Sequence, residues 1–150
     1  MKLLISIVLL ALALTLTIIL APLGVIVALI RGIYKRKLKD WYNTTANYIF
    51  NMAYAVDQFG NVMMAPLFNI LFIKKEVIKE HFIDLRFGDP DETISSCLGR
   101  NFLMHNLTWA GKAMFLILDK IDPNHCIDAI ELPKMLEVYS LHPKEFYDRD

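Results

Sequence analysis

The pattern of hydrophobic and polar positions starts with an uninterrupted apolar run near the beginning of the chain. Between Leu3 and Ile30, a run of about 28 residues, no side chain carries a charge. A helix of roughly 20 apolar residues already crosses the hydrocarbon core of a bilayer. The run therefore predicts a single transmembrane helix. We divide the chain into an anchor at 1–31, a basic juxtamembrane segment at 32–40 and a small domain at 41–150.

Helical spacing of apolar positions continues beyond this anchor. Apolar side chains recur every three or four residues between Trp41 and Phe59, which predicts an amphipathic helix that Gly60 ends. The next stretch, 62–73, is apolar but interrupted by Pro66, so we interpret it as a separate buried or interfacial segment. Two locations fit this amphipathic helix: it lies either on the membrane surface or against the core of the domain.

Helix-start signals mark the second half of the chain. Asp89 is predicted as an N-cap, with Glu92 completing a capping box three residues later and Gly99 ending that helix. Thr108 is the predicted N-cap of a further helix that runs to Ile121. Together these patterns predict a mainly α-helical fold, with one N-terminal transmembrane helix followed by a small, helical, membrane-apposed domain.

Charge is segregated along the chain, although sixteen basic and sixteen acidic residues give a formal net charge of zero. Six basic residues and no acidic residue precede Asp40, so this part carries +6 and the remainder, with ten basic and sixteen acidic residues, carries −6. The six are Lys2, Arg31, Lys35, Arg36, Lys37 and Lys39. The basic segment suits anionic lipid headgroups, whereas the acidic remainder argues against nucleic-acid binding.

The same charges predict the orientation of the anchor. Only one of the six basic residues stands before the apolar run, so the positive-inside rule places the domain in the cytoplasm. The opposite orientation stays open. A cleaved signal peptide is the other alternative, because Ala11-Leu12-Ala13 resembles a cleavage site, but the apolar run continues well past it.

A thiol at a helix start is one candidate for chemistry. Asp122-Pro123 predicts a helix start that places His125 at the third position and Cys126 beside it. The positive end of a helix lowers a thiol pKa and favours the nucleophilic thiolate. Neighbouring helix positions diverge, so the base for Cys126 would be His105 or His81 rather than its own neighbour. The ordinary alternative is a thiol packed in the core.

Metal and cofactor chemistry find no support in the spacing of the residues. Cys97 and Cys126 belong to no zinc-type pattern, and no phosphate-binding loop is present, so we expect neither a metal nor a cofactor.

Asp57 is the one charged residue between Asp40 and Lys74. It is either a functional acid or a turn carboxylate bonded to backbone N–H groups.

Three polar elements carry a resemblance to a known group. They read AVDQFGN from Ala55, GDPDETISS from Gly88 and LDKIDPNHCIDAIE from Leu118. In this order, behind a hydrophobic start, they resemble a group of small proteins from tailed bacteriophages and prophages. The resemblance implies a phage or prophage setting, and therefore the bacterial inner membrane. The candidate site residues in these elements are Asp57, Gln58, Asn61, Asp89, Asp91, Glu92, Ser95, Ser96, Asp122, His125 and Cys126.

Two functions from different classes fit these patterns. The first is a phage accessory protein that acts on lysis, exclusion or host physiology by binding membrane lipids and an unidentified protein partner, either as a monomer or as a homo-oligomer. The second is a membrane-tethered hydrolase or transferase that uses Cys126 with His105 or His125, supported by Asp89 and Glu92.

Overall fold

The fold, taken from a computed structural model that describes residues 2–33, 38–79 and 85–130, is mainly helical. The predicted fold class is therefore confirmed. The described helices are α1 (Lys2–Ile33), α2 (Leu38–Phe72), α3 (Lys75–Lys79), α4 (Ile94–Leu103), α5 (Trp109–Ile121) and α6 (His125–Asp128). Lys35, Arg36 and Lys37 of the predicted basic segment, His81 and the tail from Glu131 lie outside the described residues.

Helix α1 is long and apolar enough to cross a membrane. Over Lys2–Arg31 its most apolar window has a mean hydropathy of 3.0, and none of that window is buried. Its hydroxyl groups are satisfied within the helix, since Thr15 Oγ1 and Thr17 Oγ1 each donate at 2.8 Å to the carbonyl four residues earlier. Hydroxyl groups that are bonded within their own helix suit a lipid environment.

The chain divides into two compact units, of which the first covers Met1–Met52. Within it α1 and the first part of α2 approach closely, because a Cβ at Gly24 would lie 3.0 Å from the Tyr48 hydroxyl oxygen. Ala21 and Ala28, which share a face with Gly24, are half-buried. Small residues on a helix face allow this kind of close packing between apolar helices.

The second unit, Ala53–Asp150, holds the hydrophobic core. Helix α4 is central to it and packs against both α5 and α6. The Phe102 ring of α4 stacks on the Phe115 ring of α5, with centroids 3.8 Å apart. The core side chains are Phe72, Ile73, Val77, Leu85, Phe87, Cys97, Leu98, Met104, Leu107, Phe115 and Cys126.

Helix α2 does not end where the sequence predicts. It passes through Gly60 and Pro66 and continues to Phe72, so the interpretation of 62–73 as a separate segment is wrong. Gly60 is a packing position instead of a C-cap, because a Cβ there would lie 2.9 Å from Ile94 Cδ1. Tertiary packing along this part of α2 outweighs the cost of a glycine, about 1 kcal/mol, and of a proline, about 3 kcal/mol, inside a helix.

The predicted start and end of α4 are also corrected. Its N-cap is Thr93, whose side chain accepts a hydrogen bond from the Ser96 N–H, so Asp89 does not begin the helix and Glu92 forms no capping box. Asp89 stabilises a preceding turn, with its Oδ1 accepting from the Asp91 N–H at 2.9 Å. Gly99 does not end the helix but lies inside it, since α4 continues to Leu103. A Cβ at this position would come within 2.0 Å of the Cys126 carbonyl oxygen, which explains the glycine. It allows α6 to approach the α4 backbone.

Of the other two predicted helix starts, that of α5 is confirmed and that of α6 is wrong. The predicted start of α5 is confirmed, since Thr108 Oγ1 accepts from the Gly111 N–H at 3.2 Å and the helix runs from Trp109 to Ile121. Helix α6 begins at His125 itself, after Asn124 in the left-handed conformation with φ 64°. His125 is therefore not the third residue of that helix.

Candidate functional site

Two asparagines of α2 hold the loop that leads into α4. Asn69 bonds the Phe87 backbone twice, donating from Nδ2 to the carbonyl at 3.0 Å and accepting the N–H at Oδ1 at 2.9 Å. Asn61, fully buried, accepts from the Gly88 N–H at 3.1 Å and donates to the carbonyls of Asp89 and Glu92 at 3.0 and 2.7 Å. The side chain of Asn61 thus ties the first of the three polar elements to the second.

Glu92 is part of a buried ion pair. Its Oε2 accepts from Arg100 Nη2 at 2.7 Å, and its Oε1 accepts from Arg100 Nε at 3.2 Å and from Ser96 Oγ at 2.9 Å. Both charged side chains are only 1% exposed. Burial of such a pair is tolerated when each charge has its partner, so this network gives Glu92 and Ser96 a structural role.

The structure brings four of the predicted site residues into one hydrogen-bonded line, which we call the Ser95 array: Asp57, Ser95, His125 and Asp122. Ser95 Oγ lies 3.0 Å from Asp57 Oδ2 and 3.1 Å from His125 Nε2. On the other side of the imidazole, His125 Nδ1 lies 3.1 Å from Asp122 Oδ2. The array therefore joins α2, the first turn of α4 and the start of α6.

A donor and acceptor count shows two consistent states of this array. If the His125 imidazole is protonated, both ring nitrogens donate, one to Asp122 and one to Ser95, and the Ser95 hydroxyl donates to Asp57. If the imidazole is neutral with its proton on Nδ1, Nε2 accepts the hydroxyl proton of Ser95 instead. The Ser95 proton thus has an acceptor on either side.

Asp57 also meets the backbone at the start of α4. The Ser95 N–H donates to its Oδ2 across 3.4 Å, so the carboxylate lies at the positive end of the helix. Asp57 lies inside α2, so its interpretation as a turn carboxylate is wrong, although it does bond a backbone N–H together with a side-chain hydroxyl of a distant segment. Its role as a functional acid stays a prediction.

Burial, together with the weaker effect of the nearby Asp57 and Asp119 carboxylates, raises the pKa of the Cys126 thiol from 9.0 to about 11. The side chain is fully buried. The expected lowering of the thiol pKa by a helix start is therefore contradicted. A helix of four residues has a weak dipole, and the loss of solvation of the thiolate outweighs it.

Other predicted residues lie outside the Ser95 array. His105 is exposed, has a φ of 56°, and its backbone N–H donates to the Phe102 carbonyl at 3.0 Å. Gln58 is half-buried on α2, and Asp91 is exposed in the turn before α4. Cys97 is buried in the core, where burial raises the pKa of its thiol.

Several residues that shape the site were missed by sequence reasoning. Asp119 Oδ1 accepts from the Asn124 N–H at 2.8 Å and so supports the left-handed turn before His125. The sequence signal for this turn was Asn124 itself, because asparagine adopts the left-handed conformation more readily than most residues. The sequence signal for the bonds of Arg100 was the spacing of four residues that separates Glu92 from Ser96 and Ser96 from Arg100.

Among the described residues no group of three or more His, Cys, Asp or Glu side chains could hold a metal ion. What the Ser95 array offers instead is a hydroxyl, an imidazole and two carboxylates in hydrogen-bonding order.

Comparisons of this chain with protein-family models, with curated proteins and with solved structures found no match.

Proposed function

We propose that this chain is a membrane-anchored accessory protein that acts by binding the membrane surface and a protein partner. In this proposal α1 is the anchor, the basic segment binds anionic headgroups, and the domain lies in the cytoplasm. The phage or prophage setting, with action on lysis, exclusion or host physiology at the bacterial inner membrane, rests on the resemblance of the three polar elements.

The observation that carries the proposal is the reversed polarity of α2. Its polar side chains Asp57, Asn61 and Asn69 point into the domain, where they bond Ser95, Gly88 and Phe87. Its outward side chains are apolar and between 46% and 70% exposed. They are Val56, Phe59, Met63, Leu67 and Ile70, and we call them the α2 outer face.

A water-facing helix normally has the opposite arrangement, with its apolar stripe inward and charges outward. No charged residue occurs between Asp57 and Lys74, so the α2 outer face contains nothing that requires water. An apolar face of this extent marks contact with a membrane or with another protein. Proximity to the anchor in the sequence favours lipid as its partner.

A second apolar surface supports the protein-binding part of the proposal. On α5 the side chains of Trp109, Leu116, Ile117 and Ile121 are between 55% and 84% exposed. Aromatic side chains such as tryptophan are enriched at the centre of protein interfaces, and an exposed apolar patch marks a contact site. Either another protein or a second copy of this chain would cover them.

The lipid part is tested by tryptophan fluorescence of the full chain in proteoliposomes of phosphatidylcholine and phosphatidylglycerol. Replacing Trp41 and Trp109 by Phe removes both tryptophans, and Phe59→Trp then places one reporter on the α2 outer face. We expect blue-shifted emission that brominated lipids quench, because the indole would lie among acyl chains.

The matched control carries Asp91→Trp in the same background. Asp91 is exposed on the loop that Asn61 bonds from the inward side of α2, so an indole there should emit as in water and be quenched by aqueous iodide. Water-like emission from the Phe59→Trp reporter would contradict the proposal. Blue-shifted emission without quenching by brominated lipids would replace lipid with protein as the partner of this face.

The effect on a host tests the accessory role. Expression of the full chain in a bacterial host is expected to change the rate of lysis or the plating efficiency of an infecting phage. Phe59→Asp, which puts a charge in the middle of the α2 outer face, should abolish that effect while the chain remains in the membrane fraction. An unchanged effect with Phe59→Asp would separate the function from this face.

Two observations weigh against the Cys126 form of the enzyme alternative. The thiol is buried and its pKa is raised, so little thiolate forms near neutral pH. Glu92, which was expected to support the site, forms a buried ion pair with Arg100.

A further inference from the structure

We propose that Ser95 is a nucleophile, with His125 as its general base, for the hydrolysis of carboxylic esters whose acyl part is narrow enough to reach a nearly buried hydroxyl. This goes beyond the binding function proposed above and does not depend on it. The motivating observation is the order of contacts in the Ser95 array.

The geometry matches what an activated serine needs. A nucleophilic hydroxyl must lie within hydrogen-bond reach of a base, and the base must be oriented by a third group. Ser95 Oγ lies 3.1 Å from His125 Nε2, and Asp122 Oδ2 lies 3.1 Å from the other imidazole nitrogen. Asp122 thereby favours the tautomer in which Nε2 is free to accept the hydroxyl proton.

The surroundings of Ser95 supply two further features. Its hydroxyl is at the first turn of α4, where its own backbone N–H already stabilises a carboxylate oxygen of Asp57 across 3.4 Å. Because Asp57 occupies that N–H, the positive end of α4 contributes its field at Ser95 and not a free hydrogen-bond donor. The side chains of His125 and Asp122 are 39% and 69% exposed, so solvent and a substrate reach the array from the imidazole side.

Burial of Ser95 limits what can react. The residue is only 4% exposed, which restricts access to a slender acyl group that passes beside His125. Competition for the hydroxyl proton comes from Asp57, which lies 3.0 Å from the same oxygen. The reaction therefore proceeds from the state of the array in which His125 is neutral.

The chemical steps balance without any further reagent. Ser95 Oγ forms a bond to the ester carbonyl carbon while its proton passes to His125 Nε2. The bond to the leaving alkoxide then breaks, and the alkoxide takes that proton to become an alcohol. Water attacks the acyl-serine with His125 again accepting a proton, the acid leaves, and the Ser95 hydroxyl is restored.

The test uses the full chain in detergent micelles, with a fluorophosphonate probe that bonds covalently to activated serines. We expect labelling at Ser95, located by mass spectrometry of the digested chain. Ser95→Ala should abolish it, and His125→Gln should slow it by about 100-fold or more, the usual contribution of a general base. The matched control His105→Gln, at an exposed histidine outside the array, should label as the unchanged protein does.

Asp122→Asn separates a positioning role from a structural one. It should reduce the labelling rate and alter its pH profile, because the imidazole tautomer is no longer held, while the thermal unfolding midpoint stays close to that of the unchanged chain. Circular dichroism of each variant confirms the fold. Absence of labelling in the folded, unchanged chain, or labelling at Ser95 that His125→Gln leaves unaffected, would overturn the proposal.

Discussion

At the scale of single residues, the stability of this domain depends more on its buried polar groups than on its two thiols. Glu92 and Arg100 are both 1% exposed and satisfy each other through two hydrogen bonds. The two cysteines, by contrast, are packed like small apolar side chains. The residue positions whose substitution should change stability most are therefore the paired charges.

Arg100→Leu is expected to lower the free energy of unfolding by about 3 to 5 kcal/mol, because it leaves the Glu92 carboxylate buried without its partner. The double variant Glu92→Gln with Arg100→Leu should recover part of that loss, since no charge is then left unpaired. Urea unfolding in detergent micelles measures both. Equal destabilisation by the two variants would mean that packing, rather than charge, dominates at this position.

The raised pKa of the Cys126 thiol predicts how its alkylation rate and the stability of the fold change with pH. With its pKa raised from 9.0 to about 11, alkylation by iodoacetamide in the folded chain should keep accelerating up to about pH 11. In the unfolded chain the rate should level off above pH 9. Because the folded state holds its proton more tightly, this thiol should destabilise the fold progressively as pH rises from 9 to 11. A rate that is already maximal at pH 8 would contradict the burial argument.

At the scale of helices, two glycines show how one residue type serves different contacts. Gly99 of α4 lies against the backbone of Cys126, whereas Gly60 of α2 lies against the end of the Ile94 side chain. A backbone cannot move aside as a side-chain terminus can. The two positions are therefore a matched pair for substitution.

Gly99→Ala should destabilise the fold by about 1 to 3 kcal/mol, because the new methyl group would come within 2.0 Å of the Cys126 carbonyl oxygen. This strain exceeds the gain of about 1 kcal/mol from replacing glycine inside a helix. Gly60→Ala should be neutral or stabilising, since Ile94 can change rotamer. Thermal unfolding of both variants measures the difference, and a Gly99→Ala chain as stable as the Gly60→Ala chain would show that α6 is not held against α4.

At the scale of the whole molecule, α1 determines where the chain is located if it acts as an anchor. No part of its most apolar window is buried, and the helix is long and apolar enough to cross a membrane. We expect the expressed chain to remain in the membrane pellet after carbonate extraction. Its intact mass should include Met1, because an anchor is not removed. A mass that begins after Ala13 would establish the signal-peptide alternative instead.

The sequence was sufficient where short-range physics decides the outcome. The apolar run of α1 and the helical class follow from hydropathy and periodicity. The start of α5 follows from the ability of the Thr108 side chain to cap its own helix. Each of these features depends on residues within a few turns of one another, so a local pattern contains the information.

Only the tertiary structure decided which partners the polar elements bond. Asp57 and Ser95 are 38 positions apart, and Ser95 and His125 are 30 apart, yet each pair lies within hydrogen-bonding distance. Gly60 and Gly99 were predicted as helix ends, but they lie inside helices at close contacts with distant residues. Local preferences of about 1 kcal/mol are weaker than the burial and hydrogen bonding gained when distant segments meet. For this reason the sequence alone determined the long apolar helix α1 and the helical class, whereas packing between α2, α4 and α6 decided which polar residues form the array.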